Sequence, residues 1–186
     1  MSLPTDYQFP AIHDFPPFYT RQPTDTTWQN QALQWSDVIL RYARHYRIFT
    51  MNLSQVTAPG GSSLFENTRI KRRLSLETLQ EVIEFMVQQG TAKWNKDKTH
   101  AFLFWRKPDD WADLILQWVN QCGLNNTIVT MYEIAHGELA EGQEFYEMDH
   151  DVLLITVQVL VKRGVAQLFK GSEDEDMGVK FTSVKA

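Results

Sequence analysis

The sequence predicts an α+β fold: two copies of one helix-and-strand plan in tandem, preceded by an extended, Pro-rich N-terminal arm. Three observations carry this. Amphipathic helical stripes recur at matching places in the two halves. Each half closes on a pair of apolar segments around a polar loop. The residues before position 24 lack a helical period and contain Phe-Pro-Pro-Phe-Tyr. A chain of 186 residues suits two small domains. With 43% apolar and 22% charged residues it is expected to pack rather than stay disordered.

The first helix is read from Trp28, Ala32, Trp35, Ile39, Tyr42 and Tyr46, spaced by three or four residues along one face. Its counterpart carries Trp111, Leu114, Ile115, Trp118 and Cys122, with Asp109, Asp110 and Asp113 crowding the start, where the helix dipole favours them. Each is followed by a short apolar segment, Ile48-Phe49-Thr50-Met51 or Ile128-Val129-Thr130-Met131, suited to a short strand leading into another helix. Ser75 then caps a helix with a buried face of Leu76, Leu79, Val82, Ile83 and Met86, ending at Gly90. In the second half Asp149 caps the equivalent helix, which ends at Gly164. Its centre, residues 152–161, has strand propensity, but the caps and the repeat favour a helix. Residues 91–105 and 165–182 each read as a hairpin. The loops 57–63 and 137–143 leave each middle helix short.

Helix, strand, helix, helix, hairpin is the plan of a winged-helix domain. The expected organisation is an arm at 1–23, a first winged helix at 24–107 and a second at 108–186.

Winged helices commonly bind DNA, but the charges oppose that here. Residues 1–107 hold 13 basic and 9 acidic side chains, a net of +4; residues 108–186 hold 5 and 14, a net of −9. The first candidate recognition helix exposes Glu77, Glu81 and Glu84, and the second wing carries Glu173-Asp174-Glu175-Asp176, which would face phosphate. Arg69, Lys71, Arg72 and Arg73 form the one basic cluster, read as a solvated face in preference to a contact patch. No glycine-rich phosphate loop, His-Glu-x-x-His pair or Gly-x-Ser-x-Gly elbow occurs. Asp149-His150-Asp151 reads as a helix start in preference to a metal site, and Cys122, the single cysteine, as a core thiol. A non-enzymatic chain without cofactor or metal is expected. No apolar run approaches the ~20 residues of a membrane span. The polar start, broken by Pro4 and Pro10, does not read as a secretion signal, so a cytoplasmic location is expected.

The arm, Phe15-Pro16-Pro17-Phe18-Tyr19, has three readings from its residues alone. Its prolines favour an extended polyproline II segment that presents Phe15, Phe18 and Tyr19 to a partner. Its rings could instead pack on the chain's own first module. As a Pro-Pro-x-Tyr sequence it could also serve as a WW-domain ligand.

Further landmarks occur in order: Phe15 to Thr20 followed by Gln22-Pro23, then Ser63-Leu64-Phe65-Glu66-Asn67, Trp105 to Trp111, Tyr132-Glu133-Ile134, Gly137-Glu138 and Gly178-Val179-Lys180-Phe181. With these the chain resembles the vacuolar protein sorting-associated protein 25 family, the small subunits of the endosomal sorting complex ESCRT-II. The resemblance implies two winged-helix domains and a non-enzymatic adaptor in the sorting of ubiquitinated membrane proteins to multivesicular bodies. It implies two copies of the chain per complex, with the arm and first domain docked on the larger subunits, sorting proteins 22 and 36. Phe15, Pro16, Pro17, Phe18 and Tyr19 then become partner-binding residues. It further implies that the second domain recruits and nucleates ESCRT-III through sorting protein 20, and that the chain meets the endosomal membrane only indirectly.

Overall fold

A computed structural model describes residues 6–172 and 177–182. The expected acidic wing at 173–176 lies outside the described residues. The chain divides into two compact units, Met1–Trp105 and Arg106–Ala186.

In the first unit α1 (Asp25–Tyr46) leads through β1 (Thr50–Asn52) into the short α2 (Leu53–Thr57). A small hairpin, β2 (Glu66–Asn67) with β3 (Arg72–Arg73), precedes α3 (Leu76–Gln88), and β4 (Ala92–Trp94) and β5 (His100–Leu103) form the wing. Strand β5 is central, antiparallel to β1 on one side and β4 on the other. The second unit repeats the plan with α4 (Pro108–Gln121), β6 (Ile128–Thr130), α5 (Met131–His136), α6 (His150–Lys162), β7 (Ala166–Phe169) and β8 (Gly178–Phe181). Its sheet has the matching order β6-β8-β7, with β8 central. Both units are therefore winged helices, and the expected α+β tandem repeat is observed.

The caps work as read. Ser75 Oγ accepts from the Thr78 N–H at 3.1 Å, and Asp149 Oδ1 accepts from the Asp151 and Val152 N–H groups. The four long helices end alike: a left-handed residue (Arg47, Gly90, Gly123 or Gly164) lets the next N–H reach back five residues to a helical carbonyl. Residues 150–162 are helical despite their strand propensity. Val152, Leu153, Thr156, Val157 and Leu160 give a continuous buried face, and the Thr156 hydroxyl is satisfied by the Val152 carbonyl at 2.9 Å. Trp35, Phe65, Leu79, Ile83 and Met86 centre the first core; Trp111, Ile115, Phe145 and Phe181 are among the most buried side chains of the second.

One expectation needs correction here. Cys122 is exposed, because α4 stops at Gln121 and the cysteine is its C-cap, turned off the apolar face. Arg69, Lys71, Arg72 and Arg73 are all exposed, as expected of a solvated face, and Arg72 and Arg73 form β3 of a hairpin with no counterpart among the described residues of the second unit.

Candidate functional site

The arm is folded against the first unit. Tyr7 and Phe9 pack around Tyr42, with ring centroids 5.3 and 5.7 Å away. Two 3-10 turns follow, Ala11–Asp14 and Pro16–Tyr19, meeting at Phe15, which is extended (φ −95°, ψ 108°). This replaces the expected polyproline II conformation. Pro16 and Pro17 occupy the first two turn positions, where a helical N–H would lack a partner anyway and where the proline φ already suits the turn.

The second turn is fastened from beneath. The Phe18 ring lies parallel to Trp35, centroids 4.0 Å apart. The Phe18 carbonyl accepts from Trp35 Nε1 at 2.9 Å and Gln31 Nε2 at 2.8 Å, and Gln31 Oε1 accepts from the Gln22 N–H at 3.1 Å. The Tyr19 hydroxyl donates to the His13 carbonyl at 2.8 Å, and burial pushes its pKa up. The first turn is fastened from the side. His13 Nε2 lies 3.0 Å from the Leu64 carbonyl, and Asn67 Nδ2 donates to His13 O and Asp14 Oδ1, both at 2.9 Å. Arg69 completes the clasp with an ion pair to Asp14, and the two bonds hold that carboxyl below its usual pKa.

The five expected docking residues therefore separate into two groups. Phe18 and Tyr19 are 3% and 5% exposed and belong to the core, while Phe15 is 53% exposed and Pro16 and Pro17 are exposed with it. Beside this ridge lies a pocket of about 280 Å³ lined by Ile12, Phe15, Pro17, Phe18, Thr27 and Gln31, among others. The arrangement is an exposed apolar edge between two bonded, buried residues, His13 and Phe18. His13, Asn67 and Arg69 were not singled out as site residues from the sequence. Their roles depend on contacts more than 50 residues apart, which no local pattern encodes.

Other surfaces narrow the reading. Glu77, Glu81 and Glu84 are exposed on α3, and two of them engage the chain's own groups: Glu81 pairs with Arg21 at 2.7 Å, and Glu84 accepts from Trp94 Nε1 at 3.0 Å. A recognition helix with that face repels phosphate. In the second unit Trp118, Leu124, Ile128, Val129 and Leu139 border a pocket of about 360 Å³ that also includes Glu133 and Glu138. Ile128 and Leu139 of its lining are exposed, and Tyr132 of α5 is exposed as well. Asp149, one of the weighed metal ligands, spends its carboxylate on the α6 cap. Among the described residues no helix is long and apolar enough to cross a membrane.

Two winged helices with an acidic recognition face and a latched, proline-edged arm define a protein-interaction subunit. A family model for ESCRT-II complex subunits matches residues 12–149, and the chain belongs to that family. It is 38% identical to vacuolar protein-sorting-associated protein 25 of Xenopus laevis, covering 94% of this chain and 98% of that one. The Dictyostelium discoideum and human proteins of the same name are 36% and 34% identical, over 96% and 94% of this chain and 97% of theirs. A crystal structure of subunit VPS25 of the endosomal trafficking complex ESCRT-II superposes with a TM-score of 0.82 at 29% identity, covering 94% of this chain and 98% of that one. A chain of the crystal structure of the endosomal complex ESCRT-II (VPS22/VPS25/VPS36) gives 0.79 at 29% identity, over 92% of this chain and 98% of that one. Membership makes the chain a structural subunit and not an enzyme.

Proposed function

We propose that this chain is an adaptor subunit of ESCRT-II in endosomal sorting, docking on counterparts of VPS22 and VPS36 through the Phe15-Pro16-Pro17 ridge and the pocket beside it. One observation carries the docking site: an apolar ridge stands in solvent between two buried anchors, where the exposed apolar area has no use to the isolated chain. Phe18 and Tyr19 contribute by holding the ridge, and Phe15 and Pro17 by filling a partner pocket. Two copies per complex, and recruitment to the endosomal membrane through the larger subunits, complete the reading.

The second unit recruits ESCRT-III through sorting protein 20. The net charge of −9 over 108–186, together with the exposed Ile128, Tyr132 and Leu139, supports an amphipathic, basic partner segment there. The WW-ligand reading is disfavoured because the tyrosine such a ligand presents is buried here and bonded to His13.

Reconstitution with the counterparts of VPS22 and VPS36 tests the proposal. A single species, whose light-scattering mass contains two copies of this chain, is expected from gel filtration. Elution of the chain alone would overturn it.

A further inference from the structure

The arm is held by two fasteners of different chemistry. The Pro16–Tyr19 turn is gripped by Trp35 and Gln31, whose bonds do not titrate. The Ala11–Asp14 turn is gripped through His13, which is 3% exposed and stacked on Phe9 with centroids 3.9 Å apart. The bonding pattern fixes the state of this histidine. The Leu64 carbonyl can only accept, so Nε2 carries the proton. Asn67 Oδ1 accepts from the Arg69 N–H at 3.1 Å, which orients the amide so that Nδ2 faces His13. That Nδ2, whose two N–H groups serve His13 O and Asp14 Oδ1, lies 3.3 Å from His13 Nδ1, so Nδ1 faces a nitrogen that can only donate. With Nε2 bonded to Leu64 and Nδ1 against a donor nitrogen, the neutral ring fits this setting.

A proton on Nδ1 would point an N–H at an N–H. The groups facing the ring from the packed elements are Asp14 on its own turn, the Tyr19 hydroxyl from the next turn, and Asn67 and Arg69 from the β2–β3 hairpin. Asp14 is the one carboxylate among them, and it is engaged by Arg69 and Asn67. Burial lowers the His13 pKa, against the smaller opposing pulls of the Leu64 bond and of Asp14. Because His13 and Asp14 immediately precede Phe15, loosening this turn frees the corner from which the docking ridge starts.

We propose that His13, clasped between Leu64 and Asn67, is a positioning residue that fixes the Phe15-Pro16-Pro17 ridge for its partner and releases it when the ring takes up a proton. This rests on the ridge being the docking site. The cost of release is a smaller docking-competent fraction, and the apparent Kd rises by the inverse of that fraction.

The full chain is tested as wild type, His13→Ala, His13→Gln, and Phe15→Ala with Pro17→Ala. Hydrogen exchange reads the amides of residues 12–20 in the free chain, and titration against the recombinant VPS22–VPS36 counterpart assembly reads affinity. Wild-type affinity is expected to fall between roughly pH 7.5 and 5.5, by at most about tenfold, with faster exchange over 12–20. His13→Ala binds about tenfold more weakly at either pH. His13→Gln, whose amide can still donate to Leu64, keeps wild-type affinity at the upper pH and loses the pH response, and it decides the matter if the alanine variant does not fold. A pH response unchanged in His13→Gln, or wild-type binding and exchange in His13→Ala, overturns the proposal. Normal binding by the Phe15/Pro17 variant would instead overturn the docking reading, while the exchange data still judge the clasp.

Discussion

Trp35 is where the arm and the first helix become one structure: its ring lies against Phe18 and its Nε1 holds the Phe18 carbonyl. Trp35→Ala is expected to cost about 3–5 kcal/mol by cavity formation and loss of that bond, read as a lower denaturant midpoint. Phe15→Ala, at an exposed position, should stay within roughly 0.5 kcal/mol of wild type. The contrast marks what the sequence left undecided. Phe15 and Phe18 are the same residue three positions apart, and composition alone does not say which ring is anchor and which is ridge. Tyr19→Ala is for the same reason a poor docking probe, because it removes a core ring. His13 adds a pH dependence. Its folded pKa is lowered from 6.5, so as the pH falls below that value the unfolded chain binds protons that the folded chain refuses. Stability of the first unit should be insensitive to this group above about pH 6.5 and fall below it. Urea midpoints compared between wild type and His13→Gln would isolate the effect.

At the scale of elements, capping decided what propensity confused. Residues 152–161 favour a strand by composition, yet Asp149 at one end and Gly164 at the other bound a helix with a continuous buried face. Asp149→Ala should destabilise the second unit by about 1 kcal/mol, visible as a lower melting temperature. Gly137 follows α5 so closely that an added Cβ would lie 2.5 Å from the Glu133 carbonyl. Gly137→Ala should therefore lower the melting temperature of the second unit, and an unchanged melting curve would contradict the packing described. The β2–β3 hairpin escaped the sequence because its strands are two residues each, too short for an alternating pattern. It matters because it carries Asn67 and brings Arg69 to the arm.

For the whole molecule, the repeat was legible because both copies keep the same order of caps, stripes and hairpins, and the structure returns the same sheet order in each. The uneven charge, +4 before residue 108 and −9 after it, was equally plain and argues against nucleic acid as the shared partner. A duplex titration at low salt should show no steep salt-dependent binding. The arm's conformation was not legible, since it is set by Trp35, Leu64 and Asn67 rather than by neighbours in sequence. The most direct measurement of the central claim is calorimetric titration of the VPS22–VPS36 counterpart assembly with wild type and with Phe15→Ala, Pro17→Ala. The account predicts a fold unchanged by melting temperature and an affinity lower by at least ~30-fold, about 2 kcal/mol, as expected for an interface anchor. Equal affinity of the two proteins would contradict it.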